Sequence, residues 1–225
     1  MAVISRLEPT LGSDHTALVL FDTLNGYLHP RNNPAKVKFL KEHNILPNTK
    51  QLLTGARKAG LTTFYPMGWH ASDGSDTVLR LTDTDMNLKP LKAKSKPIRP
   101  GIAKNTRDAE VAPELKPAKG DILIPKHRWN AFFETDLFFH LRMRNIDTIV
   151  LAGGSTDVGI AATAFGARDL DFGLVIVRDC CYSTRGPNND FFMDRVFPRM
   201  GRVMNVDEAV RLMAAASKKR TRRAR

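Results

Sequence analysis

Short apolar runs alternate with amphipathic stretches along most of this chain, and the alternation predicts parallel strands joined by helices. The first run, residues 16–22 (TALVLFD), is almost continuously apolar, as expected for a strand that is covered on both faces. Further strands are predicted at 61–66, 121–126, 148–152 and 174–178, with a short one near Val203. The pattern predicts an α/β protein built as a three-layer, doubly wound parallel sheet.

Helices are predicted between these strands. The clearest spans residues 48–59, where Asn48 follows Pro47 as an N-cap and Gly60 is placed to end the helix. The others are predicted at about 134–144, 157–170 and 191–200, and from Asp207 into the basic C-terminal run.

The domain organisation follows from where this alternation is interrupted. Residues 68–107 are rich in Asp, Lys and Pro and are predicted to be an irregular insert or lid around the site. We therefore divide the chain into an N-terminal extension (1–14), one domain (15–216) and a basic tail (217–225).

Composition narrows the protein class. The chain has 225 residues, 42% of them hydrophobic, which is enough for the core of one domain. It has no run of about 18 apolar residues and no basic start followed by an apolar stretch, so we expect a soluble, cytoplasmic protein without a membrane partner. The two cysteines, Cys180 and Cys181, are adjacent, which excludes a disulfide scaffold.

The net charge of +12 is unevenly distributed. Six of the last eight residues are Lys or Arg, which we interpret as a solvated tail, with an arm for nucleic acid as the alternative. A second stretch, residues 87–107, holds seven Lys or Arg and no acid. Because it lies within the domain, it either attracts an anionic substrate to a cleft or is ordinary surface.

Three residues are candidates for the chemistry because of their place in the predicted sheet. Asp22 ends the first strand, Lys126 ends the third, and Gly159 opens the helix after the fourth. Ligands of open parallel sheets bind at the carboxyl ends of the strands. These residues are therefore expected to converge in space.

Residues 121–179 carry a more specific pattern. They read DILIPKHRWNAFFETDL, then IVLAGGSTDVGIAATA, then GLVIVRD, with a strand-ending Lys, an aromatic-rich loop before T-D-L and a Gly-x-x-Thr turn. This pattern resembles the isochorismatase-like (cysteine hydrolase) superfamily, and Asp22 matches the first-strand aspartate of that family. The resemblance implies the isochorismatase-like hydrolase fold, a homo-oligomer, no cofactor, and a cis peptide near Ser155 and Thr156.

The resemblance also implies a departure from the commoner chemistry of the superfamily, which uses an Asp, Lys, Cys triad to open amide bonds. Gly159 occupies the position of the nucleophilic cysteine, so attack by sulfur from this position is impossible. True isochorismatases are similar in having glycine there, and they remove pyruvate from a vinyl ether, a reaction that needs a general acid.

In this reading Asp22 is the general acid, and it must be protonated. Burial at the sheet end would favour its protonated form, whereas a nearby Lys126 ammonium would oppose it. Lys126 is expected to bind a substrate carboxylate or to stabilise negative charge. Gly159 leaves space for the substrate to approach backbone amides.

The remaining candidates concern the pocket and a metal. The residues that we expect to bind a small, anionic substrate are Trp69, His70, Trp129, Phe133, Ser155 and Thr156. Nicotinamidase-type members of the superfamily hold zinc through an Asp-x-His pair. Gly68 takes the place of that aspartate here, so we expect no metal.

Two alternatives stay open. One is an amidohydrolase that uses Asp22 and Lys126 with an activated water, or with Cys180 or Cys181 as a displaced nucleophile. The other is a catalytically silent binding or scaffold protein of the same fold, perhaps tethered to nucleic acid by its tail. The latter predicts no turnover, and ligand binding that Asp22→Asn does not change.

Overall fold

The computed structural model describes residues 10–76 and 102–223, and the side chains up to residue 218. Its centre is a six-stranded parallel sheet in the order β3-β2-β1-β4-β5-β6. The strands are β1 (Thr16–Phe21), β2 (Thr62–Gly68), β3 (Ile122–Lys126), β4 (Thr148–Gly154), β5 (Gly173–Tyr182) and β6 (Arg202–Met204). The predicted doubly wound sheet is confirmed, and so is each predicted strand.

Helices cover both faces of the sheet. They are α1 (Asn25–Leu28), α2 (Pro34–Glu42), α3 (Ile45–Ala59), α4 (Leu137–Arg142), α5 (Ala161–Asp169), α6 (Asn188–Phe191) and α7 (Val206–Arg223). A wide helical turn, Thr156–Ile160, leads into α5, and two further short turns, Phe192–Val196 and Phe197–Arg199, follow α6.

The alternation of side chains along the strands divides the core into two layers. In β1, Leu18 and Leu20 face α3 and α7, whereas Ala17, Val19 and Phe21 face α4 and α5. All five side chains are buried. This two-sided burial is the physical reason for the continuous apolar run that predicted the strand.

Several predicted boundaries were wrong. Helix α3 begins at Ile45 rather than at Asn48, because Pro47 is tolerated in a first helical turn. Asn48 does not cap this helix, and its side-chain amide donates instead to the Asp179 carbonyl at 3.0 Å. Gly60 does end the helix, with a φ of 80°.

Other elements were longer or shorter than predicted. Helix α4 covers only Leu137–Arg142, and β5 continues past Arg178 to Tyr182. Helices α1 and α2 were not predicted at all. Helix α7 extends through most of the basic run, to Arg223.

The predicted insert falls mostly outside the described residues. Its residues 77–101 lie there, and so does most of the basic stretch 87–107. Residues 102–107 are described and include the start of a short turn at Arg107–Ala109. Among the helices that the structure describes, none is long and apolar enough to cross a membrane.

Candidate active site

Asp22 lies immediately after β1 at the carboxyl edge of the sheet. Its backbone is left-handed, with a φ of 49°, a conformation that aspartate tolerates better than most residues. One carboxylate oxygen, Oδ1, accepts a hydrogen bond from the Gly68 backbone N–H at 2.9 Å. The other, Oδ2, accepts one from Lys126 Nζ, also at 2.9 Å. Both oxygens are therefore held by donors at the ends of β2 and β3.

Lys126 is the last residue of β3 and is as deeply buried as its partner. The two side chains are 6% and 9% exposed. The ammonium also lies over the Phe21 ring, 4.2 Å from its centroid. Lys126 does not line the cavity in front of Asp22. Its ammonium contacts Asp22 and Phe21. That Lys126 binds a substrate carboxylate or stabilises negative charge stays a prediction.

Gly159 lies in the turn before α5, and the Phe21 ring packs directly against it. A Cβ built on Gly159 would fall 2.2 Å from Cε1 and 2.4 Å from Cζ of Phe21. The place of a side chain at Gly159 is therefore filled by an aromatic ring, whereas Gly159 itself borders a cavity. The three residues Asp22, Lys126 and Gly159 do converge as predicted, with Phe21 between the latter two.

Gly153 and Gly154 bring the end of β4 close to this site. Gly153 has a φ of 127°, and a Cβ there would fall 2.0 Å from the Phe21 carbonyl oxygen, so only glycine fits. A Cβ on Gly154 would meet the Tyr182 ring at 2.4 Å. The expected cis peptide joins Gly154 to Ser155.

A cavity of about 220 Å³ opens in front of Asp22. The described residues that line it are Phe21, Asp22, Tyr27, Lys36, Trp129, Gly154, Ser155, Val158, Gly159, Tyr182, Thr184 and Arg185. Among these, Asp22 carries the only carboxyl group. The cavity is smaller than the roughly 300–1,000 Å³ of sites for drug-sized ligands, which favours a small molecule.

Only some of the predicted pocket residues reach this cavity. Trp129 and Ser155 line it. Thr156 is buried and donates to Asn189 Oδ1 at 2.7 Å, and Phe133 is 49% exposed without bordering the cavity. Trp69, which follows β2, borders a different cavity, of about 640 Å³.

His70, the sixth predicted pocket residue, also lies apart from the cavity. It packs against Asp76 and His127, with Nδ1 3.6 Å from Asp76 Oδ1, and His127 Nε2 lies 3.2 Å from Asp76 Oδ2. Burial lowers the pKa of His70, although the Asp76 charge opposes this. Within residues 10–76 and 102–223, no group of three or more His, Cys, Asp or Glu side chains is arranged to hold a metal ion.

A hydrogen-bond network forms the rim of the cavity. Asp157 accepts from the Ser155 hydroxyl and from Asn188 Nδ2, the latter at 2.6 Å, and Arg185 Nη1 lies 3.4 Å from it. Burial alone would raise the pKa of Asp157, but hydrogen bonds from Ser155, Asn188 and Ser183 lower it overall. Asp157 is therefore ionised, and its hydrogen bonds hold Ser155 and Asn188 in place at the rim.

Lys36 enters the cavity from α2. Its Nζ lies 5.2 Å from the ring centroids of both Tyr27 and Tyr182. Burial and the Arg185 charge lower the pKa of Lys36 to about 8, against the opposing charge of Asp22. Burial raises the pKa of both tyrosines, so their hydroxyls stay protonated.

The two cysteines lie in β5, away from the cavity. Cys180 faces the α3 and α7 layer, and Cys181 faces the α4 and α5 layer. Burial raises the pKa of the Cys180 thiol well above its usual value and that of Cys181 to about 12. Thiols of this kind are inert. The burial and raised pKa values of these two thiols therefore argue against the displaced-nucleophile alternative.

Sequence reasoning missed most of the cavity wall. Phe21 was treated only as part of the apolar strand, and Lys36 is one of several Lys residues in an unpredicted helix. Tyr182 and Arg185 lie beyond the point where β5 was expected to end. The one available signal was the apolar triplet of residues 180–182 after the polar pair 178–179, which extends the strand toward the site.

Comparison with known proteins finds sequence relatives over most of the chain. The protein-family model of the isochorismatase domain matches residues 16–208 of the chain. An uncharacterized isochorismatase family protein of Bacillus subtilis, YwoC, is 31% identical over 195 residues, covering 86% of this chain and 91% of YwoC. The ureidoacrylate amidohydrolase RutB of Variovorax paradoxus is 28% identical over 220 residues, covering 95% of this chain and 87% of RutB.

Comparison with solved structures finds a similar fold. An isochorismatase family protein from Burkholderia thailandensis superimposes with a TM-score of 0.69 at 25% identity. The superposition covers 91% of this chain and 98% of that protein.

Proposed function

The chain belongs to the isochorismatase family of hydrolases, and we propose that it hydrolyses a small organic acid through Asp22 and Lys126, without a cysteine nucleophile. The observation that carries this proposal is the packing of Phe21 on Gly159. An aromatic ring fills the place of the nucleophile, whereas the Asp22 carboxyl group faces the cavity. Acid–base chemistry by Asp22 is the chemistry that this arrangement favours.

Hydrolysis of a vinyl ether of the isochorismate type is the reaction that fits this chemistry best. The protonated Asp22 carboxyl donates its proton to the terminal carbon of the enol ether, which produces an oxocarbenium ion. Water adds to that cation, and the Asp22 carboxylate accepts the proton that the water loses. The resulting hemiketal collapses to pyruvate and the free alcohol, so that one water is consumed overall.

In this reaction Lys126 acts through Asp22 rather than on the substrate. Its ammonium, 2.9 Å from Oδ2, stabilises the carboxylate that remains after proton transfer. The Gly68 N–H, which donates to Oδ1, fixes the plane of the carboxyl group.

The test is pyruvate release from isochorismate, followed with a coupled assay. The wild type is compared with Asp22→Asn and with the double variant Cys180→Ala/Cys181→Ala, each shown to be folded by circular dichroism. The proposal expects turnover by the wild type, a loss of at least about 100-fold in Asp22→Asn, and unchanged turnover in the cysteine variant. Absence of pyruvate release from folded wild-type protein would reject the vinyl ether reaction.

A second candidate function is hydrolysis of a C–N bond by an Asp22-activated water. It is favoured by the similarity to RutB, which is a ureidoacrylate amidohydrolase. The same proteins would be incubated with ureidoacrylate and assayed for ammonium. Release that depends on Asp22 and not on the cysteines would select this reaction over vinyl ether hydrolysis.

Family membership also supports a homo-oligomeric assembly and a cytoplasmic location, which we propose on that ground alone. Multi-angle light scattering of the purified protein tests the first. Fractionation of cells that express the protein tests the second.

A further inference from the structure

Lys36 is the feature of the cavity that the proposed acid–base chemistry does not use. It lies in the first turn of α2, and its backbone N–H donates to the Asn33 side chain at 3.0 Å, which fixes the start of the helix. Its half-buried ammonium is held between the rings of Tyr27 and Tyr182, 5.2 Å from each centroid. Lys36 therefore has a defined position in the cavity wall.

No carboxylate of the described residues forms an ion pair with Lys36. The other cations near the site do have such partners, since Lys126 pairs with Asp22 and Arg185 lies 3.4 Å from Asp157. Removing an ammonium from water without a counter-ion is unfavourable, and the two tyrosine faces compensate for only part of that cost. An anion bound in the cavity would supply the missing partner.

The cavity determines what that anion can be. It is about 220 Å³ in volume, so the ligand is small. Asp22 and Lys36 both line it, which lets one molecule place a reacting group at Asp22 and a negative group at Lys36. Arg185, on the same wall, adds positive charge. The tyrosine rings and Trp129 provide apolar surface for a carbon skeleton between the two polar ends.

We propose that Lys36 binds the carboxylate of a small organic acid and so selects carboxylates over their neutral analogues. The inference rests on the proposed function for the place of the reacting group, but it holds for either candidate reaction. A neutral amide in the same position would leave the ammonium desolvated and unpaired, which is how a charged site rejects it.

The experiment measures binding rather than turnover. Benzoate and pyruvate, with benzamide and pyruvamide as neutral analogues, are titrated against the wild type, Lys36→Met and Lys38→Met by ligand-observed NMR. Lys38 is the matched control, because it lies two residues further along α2, is 76% exposed and pairs with Glu42 at 3.7 Å.

The wild type and Lys38→Met should bind at least one of the two carboxylates at least about tenfold more tightly than its amide. Lys36→Met should lose about 10- to 100-fold in affinity for that carboxylate, with little change for the amide. Equal carboxylate affinity in Lys36→Met and wild type would overturn the inference. So would a wild type that does not prefer either carboxylate.

A second measurement needs no variant. The groups that face Lys36 are Tyr27 from α1, Tyr182 from β5, Arg185 and Asp22. Burial raises the pKa of both tyrosines, so they stay neutral, whereas burial lowers the pKa of Lys36 to about 8, so Lys36 loses its charge as the pH rises to 10. Wild-type affinity for the carboxylate should fall at least about tenfold from pH 7 to pH 10. Constant affinity would contradict the inference.

These outcomes are separate from those of the proposed function. Carboxylate binding that depends on Lys36, together with no turnover of isochorismate or ureidoacrylate, would reject the proposed reactions and leave the binding site standing. Turnover that depends on Asp22 but not on Lys36, with unchanged carboxylate affinity in Lys36→Met, would support the proposed reactions and reject the binding site at Lys36.

Discussion

The Phe21 ring lies where a side chain at position 159 would begin, with its Cε1 atom 2.2 Å from an ideal Cβ on Gly159. This is far inside the 3.5–4.0 Å at which carbon atoms pack. Phe21 is only 1% exposed, and the Lys126 ammonium lies over its ring. Phenylalanine at 21 and glycine at 159 therefore depend on each other.

Introducing a cysteine at position 159 should therefore reduce the stability of the fold. Gly159→Cys is expected to destabilise the protein by about 1–3 kcal/mol through overpacking. The double variant Phe21→Val/Gly159→Cys should be less destabilised than the sum of its two single variants, because the smaller side chain makes room for the sulfur. Urea unfolding of all four proteins gives the coupling energy. Additive effects would show that the two positions do not share this space.

The buried pair of Asp22 and Lys126 should be coupled in the same way. Removing one partner leaves the other buried without its counter-charge, so Asp22→Asn and Lys126→Met should each cost about 3–5 kcal/mol. The double variant should cost much less than their sum. Glu42→Gln, which breaks the exposed pair with Lys38, is the control and should change the free energy of unfolding by about 1 kcal/mol or less. A small effect of all three single changes would contradict the buried-pair assignment.

Lys36 should make the empty protein less stable at neutral pH. Burial lowers its pKa from the usual 10.5 to about 8, so between these values the unfolded chain binds more protons than the folded chain. Wild-type stability therefore rises with pH across this window, and the penalty is fully present below about pH 8. Lys36→Met should be more stable than wild type at pH 7, and its advantage should shrink toward pH 10.5.

Melting temperatures of wild type, Lys36→Met and Lys38→Met across this pH range check the expectation. Lys38 is exposed and should show no such trend. An advantage of Lys36→Met that does not change with pH would mean that packing, rather than the charge, is responsible.

The thiols of Cys180 and Cys181 should be unreactive in the folded protein. Both are buried, on opposite faces of β5, and burial raises the pKa of each. Titration with a chromogenic disulfide reagent should detect close to no thiol under native conditions and two per chain in denaturant. Rapid modification of the native protein, with loss of activity, would restore a role for sulfur in the reaction.

The sequence was sufficient to predict the sheet and the meeting of Asp22 with Lys126 at its edge. Asp22 and Lys126 end strands whose burial on both faces produces continuous apolar runs, and the parallel order brings those ends together. Helix α2 could not be predicted in this way, because Leu40 is its only buried residue and gives no apolar periodicity.

The wall of the cavity was harder to predict for a different reason. Phe21 and Gly159 meet only after the strands are paired, and nothing local in either segment indicates the contact. β5 was predicted to end at Arg178 because the polar pair Arg178 and Asp179 interrupts its apolar run. The strand nevertheless continues to Tyr182, which places that ring in the cavity.

Because β5 extends to Tyr182, part of the cavity wall comes from segments other than those that carry Asp22 and Lys126. The buried ion pair of Asp22 and Lys126 belongs to the ends of β1 and β3, whereas Lys36 comes from α2, and Tyr182 and Arg185 come from β5 and the segment after it. Substitutions in α2 and beyond β5 can alter the shape and charge offered to a ligand while the Asp22–Lys126 pair keeps its neighbours. Ligand preference can therefore change through these segments while the buried ion pair at the strand ends stays in place.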